Sequence, residues 1–125
     1  MMVQLLAIAA GGAIGSVFRF LVSTGVHAVS GRAFPYGTLV VNVVGSLLMG
    51  LLFVLLVERL AGATLWRAGL LIGALGGFTT FSAFSIESFN LIEQGELIKA
   101  GTNIVASVIA CIGATWLGVM VGRQL

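Results

Sequence analysis

Apolar residues fill four long runs, and three short polar stretches separate them. The runs cover about residues 3–29, 37–60, 68–92 and 100–121. Each reaches the roughly 20 residues that a helix needs to cross the hydrocarbon core of a bilayer. The pattern predicts an all-α membrane protein with four transmembrane helices in a single domain, residues 1–125. The first connection, Ser30–Tyr36, holds Gly31, Arg32 and the single proline, Pro35. Pro35 disfavours helix at Phe34 and suits the start of the next helix. The second connection, Glu58–Arg67, carries Glu58, Arg59 and Arg67, with Trp66 as an interface anchor. The third, Glu93–Lys99, is short and polar.

The third run departs from the pattern of an ordinary span. Gly69, Gly73 and Gly77 recur every four residues and share one face, where another helix backbone can approach closely. Gly76-Gly77 and Thr79-Thr80 then follow, which is poor material for helix continuity. In lipid an unpaired backbone group is costly unless it is buried in protein or binds something. A helix broken at mid-membrane is therefore expected to hold an ion. Phe78, Phe81 and Phe84 repeat every three residues beside Ser82 and Ser85, a strip of rings next to hydroxyls. The plain alternative is a glycine-rich packing helix whose rings face lipid.

Polar positions inside the other runs supply further candidates. In the first, Gly11 and Gly15 make a small-residue contact face that continues to Arg19. Arg19 either snorkels or caps a neighbouring carbonyl, or it lines an aqueous mouth that concentrates anions. His27 reads as an interfacial residue rather than a ligand, since no other His or Cys partners it. In the second run Asn42, Ser46 and Met49 share a face. Asn42 is either an interhelical hydrogen-bonding residue or an amide donor into a pore. Glu87 is the one carboxylate well inside a span; it either neutralises Arg19 or marks the opposite mouth of one path. In the fourth run Asn103, Ser107, Cys111 and Thr115 lie four apart and form a polar strip.

Composition narrows the choice. The chain is 59% hydrophobic and 8% charged, where soluble domains carry about a quarter charged residues. Its formal net charge of +2 is dispersed, which argues against nucleic acid as a partner. Cys111 stands alone, so no intrachain disulfide forms. With four spans, Arg59, Arg67 and Arg123 fall on one side and Arg32 and Lys99 on the other. Three against two gives the positive-inside rule almost nothing to act on. Such a chain can insert both ways, and two copies can pair head to tail about an axis in the membrane plane. No nucleophile–base pair, metal-ligand cluster or phosphate loop suggests an enzyme.

GGAIGSVFRF in the first span, YGTLVVNVVGSLLMG in the second and GALGGFTTFSAFSIE in the third resemble the Fluc (CrcB) family of small fluoride channels, in order, spacing and total length. The resemblance implies an antiparallel (inverted) homodimer in the bacterial inner membrane, with two narrow fluoride pathways. Phe81 and Phe84 would line them, with Asn42 as a pore amide and Ser82 as a hydroxyl beside the rings. Ser107 and Thr115 would belong to the lining from the fourth span. Arg19 and Glu87 would lie in the vestibules. A structural sodium ion (Na+) at the dimer centre would be bound by the backbone carbonyls of Gly76 and Thr79. Ala83 departs from the family's usual TTFSTF, removing a hydroxyl expected next to the rings and putting full transport rate in question. Two other readings remain open on the residues alone: a dual-topology, proton-coupled exporter of small cations using Glu87, and a non-transporting scaffold subunit.

Overall fold

The computed structural model describes residues 1–125 and contains four helical spans with no strands. Helix α1 is Met2–Ser30 and the second span, α2, is Tyr36–Arg59. The third span, Thr64–Glu93, consists of two half-helices. Here α3 denotes residues 64–78 and α4 is Phe81–Glu93, while α5 is Leu97–Gln124. Span ends lie within about four residues of those expected from the apolar runs. The polar connections shrink accordingly. Helix continues through Arg59 and resumes at Thr64, so the second connection is shorter than Glu58–Arg67. The third reduces to a tight reversal at Gln94–Glu96. There Gly95 has φ 77°, Gly95 N–H donates to Ile92 O at 3.0 Å, and Glu96 N–H donates to Leu91 O at 2.8 Å. A left-handed glycine with these paired bonds closes the carbonyl end of a helix.

Two pairings build the bundle: α1 against α3, and α2 against α5. Both are glycine contacts. Gly11 and Gly15 of α1 face the backbone of Gly69 and Ala74 so closely that a Cβ at either would overlap a carbonyl oxygen. From the other side, a Cβ on Gly77 would lie 2.6 Å from Gly12 O. Gly50 and Gly118 do the same between α2 and α5, against the carbonyls of Thr115 and Leu47. With lipid tails as apolar as leucine, such close backbone packing is what holds membrane helices together. Val54–Arg59 and Arg67–Leu75 are wound as π-helix, so wide turns flank the connection that leads into the broken span.

Only 19 of the 125 residues are buried, so one chain encloses little and presents most of its apolar surface outward. That surface needs lipid or another protein. At the end of the bundle away from the Gly95 reversal, Arg123 pairs with Glu58 at 2.8 Å, and Arg59 donates to Arg123 O at 3.0 Å. These contacts tie the end of α5 to the end of α2.

Candidate functional site at the broken third span

The break is confined to two residues. Gly76–Phe78 stay helical, whereas Thr79 (φ −83°, ψ 155°) and Thr80 (φ −151°, ψ 115°) are extended. Of the two pairs expected to interrupt the helix, Gly76-Gly77 stays helical, and Gly77 lets α3 approach α1. Adjacent β-branched threonines, which favour extended backbone, do the opening.

Thr80 N–H and Ala83 N–H are redirected at the break, while Thr79 N–H keeps its helical partner. Thr79 sends both its N–H (3.0 Å) and its Oγ1 (2.8 Å) to Leu75 O. Thr80 N–H, the partner Gly76 O would have in an unbroken helix, donates to Asn42 Oδ1 at 2.8 Å. Asn42 Nδ2 in turn donates to Thr80 O at 2.9 Å. The Asn42 amide thus pairs with both backbone groups of one residue, as a neighbouring antiparallel strand would. Ala83 N–H, the ordinary partner of Thr79 O, donates to Thr80 Oγ1 at 3.1 Å. The carbonyls of Gly76 and Thr79 therefore lose the donors that continuous helix would supply. Gly77 O is claimed by Arg19 Nε at 3.1 Å. A cation at the carbonyl end of a helix is favourable, so Arg19 caps a neighbouring carbonyl, one of its two expected roles. The Thr79 methyl sits where a side chain at position 45 would be, so Gly45 is what admits the extended segment.

A groove of about 390 Å³ opens beside the break, between α2, α4 and α5. Phe81 and Phe84 stand at its edge with ring centroids 5.2 Å apart and planes at 50°. Phe81 is 77% exposed, so its ring projects from the chain rather than filling a core. Asn42, Thr80, Ser107, Cys111 and Thr115 contribute the polar lining. The groove therefore joins Asn42, Phe81, Phe84, Ser107 and Thr115, but not Ser82. Ser82 is exposed, with its Oγ 3.3 Å from Thr80 Oγ1. Phe78 also leaves the expected strip, because the break resets the helical phase, and it packs near Gly45. The α5 strip divides as well. Asn103 is buried and donates to Ser88 Oγ at 2.9 Å, which is a structural bond between α4 and α5. Ser107 and Thr115 reach the groove, although the Thr115 hydroxyl donates to Ser46 O at 3.1 Å.

Residues 6–119 match the family model described as CrcB-like protein, Camphor Resistance (CrcB). The chain belongs to the CrcB-like family. Its relatives include a fluoride-specific ion channel FluC of Coxiella burnetii (strain Dugway 5J108-111), 54% identical over 98% of this chain and 99% of the relative. The one from Geobacter sulfurreducens is 51% identical over 99% of this chain and 100% of the relative. That of Magnetococcus marinus is 48% identical over 98% and 99%.

A second, more polar cavity of about 350 Å³ lies on the other side of the break in this CrcB-like chain, between α1, α2 and α4. Arg19 and Glu87 both line it, yet they form no ion pair. Glu87 Oε1 instead accepts from Thr38 Oγ1 at 2.7 Å, and Oε2 is buried with no partner. Ala83 faces this cavity and not the rings, so a hydroxyl at that position would not have joined the aromatic edge. Sequence reading passes over Thr38 and marks Thr80 only as a helix breaker. A threonine three residues before a helical N–H is a capping signal and marks Thr80; nothing local marks Thr38. Thr80→Ala removes the cap of α4. It is expected to cost about 1 kcal/mol, measurable as a lower melting temperature in detergent.

Proposed function

We propose that this CrcB-like protein is a fluoride-selective channel of the bacterial inner membrane, not an enzyme, conducting the ion passively along the Phe81–Phe84 groove. The observation that carries the reading is the meeting of exposed ring edges and hydrogen-bond donors at a broken span. Full-length relatives named as fluoride-specific ion channels support it. Fluoride holds water tightly, so a narrow path must replace that water. The Asn42 amide has two N–H donors and spends one on Thr80 O, leaving the other for an anion. Ser107 donates to Asn103 Oδ1 over a long 3.4 Å and is readily turned towards the groove. Phenyl edges carry partial positive charge and meet an anion weakly. Weak successive contacts suit conduction, which requires release as much as binding.

The groove is open on one side, and the exposed Phe81 ring supports closure by a second copy. The working unit in this reading is an inverted homodimer with two pathways, each lined by both chains. The balance of Lys and Arg between the two faces supports insertion in either sense. Where two copies meet, the Gly76 and Thr79 carbonyls would hold Na+. Neutral oxygens stripped of their helical donors fit such an ion. When bound, it supplies positive charge near the anion path.

Proteoliposomes are expected to release fluoride and retain chloride, read with ion-selective electrodes. Equal chloride release would reject the reading. Phe81→Ala and Phe84→Ala should each lower fluoride flux at least about tenfold, the kinetic equivalent of about 1.4 kcal/mol of lost ion stabilisation. Monodisperse protein with unchanged flux in both variants would remove the rings from the path.

A further inference from the structure

His27 is the only histidine in the chain. It lines both the polar cavity between α1, α2 and α4 and an adjoining one of about 320 Å³ that runs towards the Gly95 reversal. Its Nε2 accepts from Gly37 N–H at 3.3 Å, at the first turn of α2. A backbone N–H can only donate, so Nε2 must carry its lone pair and the ring proton must sit on Nδ1. Gly37 is buried, and a Cβ there would lie 2.7 Å from Ser23 Oγ and 2.8 Å from His27 Cε1. The imidazole reaches the backbone only because position 37 has no side chain. The next residue, Thr38, donates to Glu87, whose Oε2 is buried without a partner. Two consecutive residues of α2 therefore link α1 through His27 and α4 through Glu87.

We propose that His27 is a proton-operated latch whose release promotes anion entry. Protonation turns Nε2 into a donor facing another donor, so the bond to Gly37 cannot survive. The imidazolium then turns to the acceptor left open in the same cavities, Glu87 Oε2. The other charged groups there are Arg19 from α1, Arg32 from the first connection, and Glu96 and Lys99 near the reversal; α2 contributes none. Two arginines already favour an anion, and the carboxylate of Glu87 opposes it. An imidazolium held on Glu87 cancels that opposition. On the channel reading, which this proposal requires for its transport consequence, fluoride flux rises on acidification.

The experiment pairs nuclear magnetic resonance with flux measurements on the intact protein. A sole histidine labelled with 15N gives unambiguous ring signals, which should show the Nδ1-protonated tautomer at about pH 8. The Gly37 amide signal should move together with them between about pH 8 and about pH 5, the window in which imidazoles charge. Fluoride flux above protein-free vesicles should rise ~3- to 10-fold over that range, as expected for one unit charge beside an aqueous cavity. His27→Gln should flatten the profile. Glu87→Gln should also flatten it, while leaving the shared movement of the His27 and Gly37 signals. An Nε2-protonated tautomer, or a stationary Gly37 signal, overturns the latch even if fluoride is conducted. A flat or falling wild-type profile overturns the link to transport. Absence of fluoride flux at every pH defeats the channel reading and, with it, the proposed promotion of anion entry, while the resonance arm still decides the His27–Gly37 contact.

Discussion

Asn42→Ala is expected to abolish fluoride conduction and to destabilise the fold together. The Asn42 amide is the sole partner of both backbone groups of Thr80. Removing it leaves a donor and an acceptor unpaired at mid-membrane, at about 1–3 kcal/mol each, and water is scarce there to take over. The expected cost is about 2–6 kcal/mol. The extended segment then has no reason to hold its shape. Thr80 N–H can return to Gly76 O, which would extend α3 and carry Phe81 away from Phe84. Flux should fall by about 100-fold or more, since each 1.4 kcal/mol is a factor of ten. Amide exchange at Thr80, followed alongside flux, separates this loss from a mere loss of one pore donor. Asn42→Asp keeps the acceptor for Thr80 N–H but forfeits the donor to Thr80 O and puts a negative charge in the groove. It should retain slow exchange at Thr80 while losing conduction. A melting temperature and a fluoride rate unchanged in Asn42→Ala would show that the break holds without the clamp.

Much of this architecture could be read along the chain because lipid enforces simple rules. A span must be long, apolar and internally bonded, so the four runs place the helices, and Pro35 punctuates the first connection. The glycine faces of α1 and α3 were legible for the same reason: small residues at fourfold spacing pack closely whatever else happens. The details of the break were less legible. Gly76-Gly77 and Thr79-Thr80 both disfavour helix, and composition cannot tell which pair yields. Only the position of α1 decides, because Gly77 is needed against Gly12 and stays helical. A three-residue repeat carries meaning only within one helix, so the spacing groups Phe78 with rings from which the break separates it. By spacing Ala83 belongs with the aromatic edge, yet it faces the polar cavity. The Asn42–Thr80 pairing spans 38 residues of sequence and leaves no local trace. Polar residues at one spacing also take unequal parts, with Asn103 consumed in the interior and Ser107 left at the groove.

Gly15→Leu should have the largest structural effect of any single change considered. A Cβ at Gly15 would coincide with the Ala74 carbonyl, with Phe78 N only 3.0 Å away. The clash is with backbone on both counts, so no rotamer change relieves it. Relief would require α1 to move off α3, which takes Arg19 away from Gly77 O and leaves the end of that half-helix uncapped. Overpacking alone costs about 1–3 kcal/mol. Loss of the Arg19 contact adds about 1.5–3 kcal/mol for a hydrogen bond to a charged group. Together these come to about 2.5–6 kcal/mol, a large fraction of the roughly 5–15 kcal/mol that typically separates a folded domain from its unfolded chain. The variant should fail to give a monodisperse peak in detergent, or should melt far below the parent. Gly113→Ala is the matched control, since nothing lies within 4 Å of a Cβ there. It should be neutral or slightly stabilising, by up to about 1 kcal/mol, because alanine loses less backbone freedom than glycine in a helix. Parent-like melting in Gly15→Leu would mean that α1 and α3 do not meet through their glycines. The break would then lose the neighbour that keeps Gly76–Phe78 helical, and the division of labour between the glycine and threonine pairs would have to be assigned afresh.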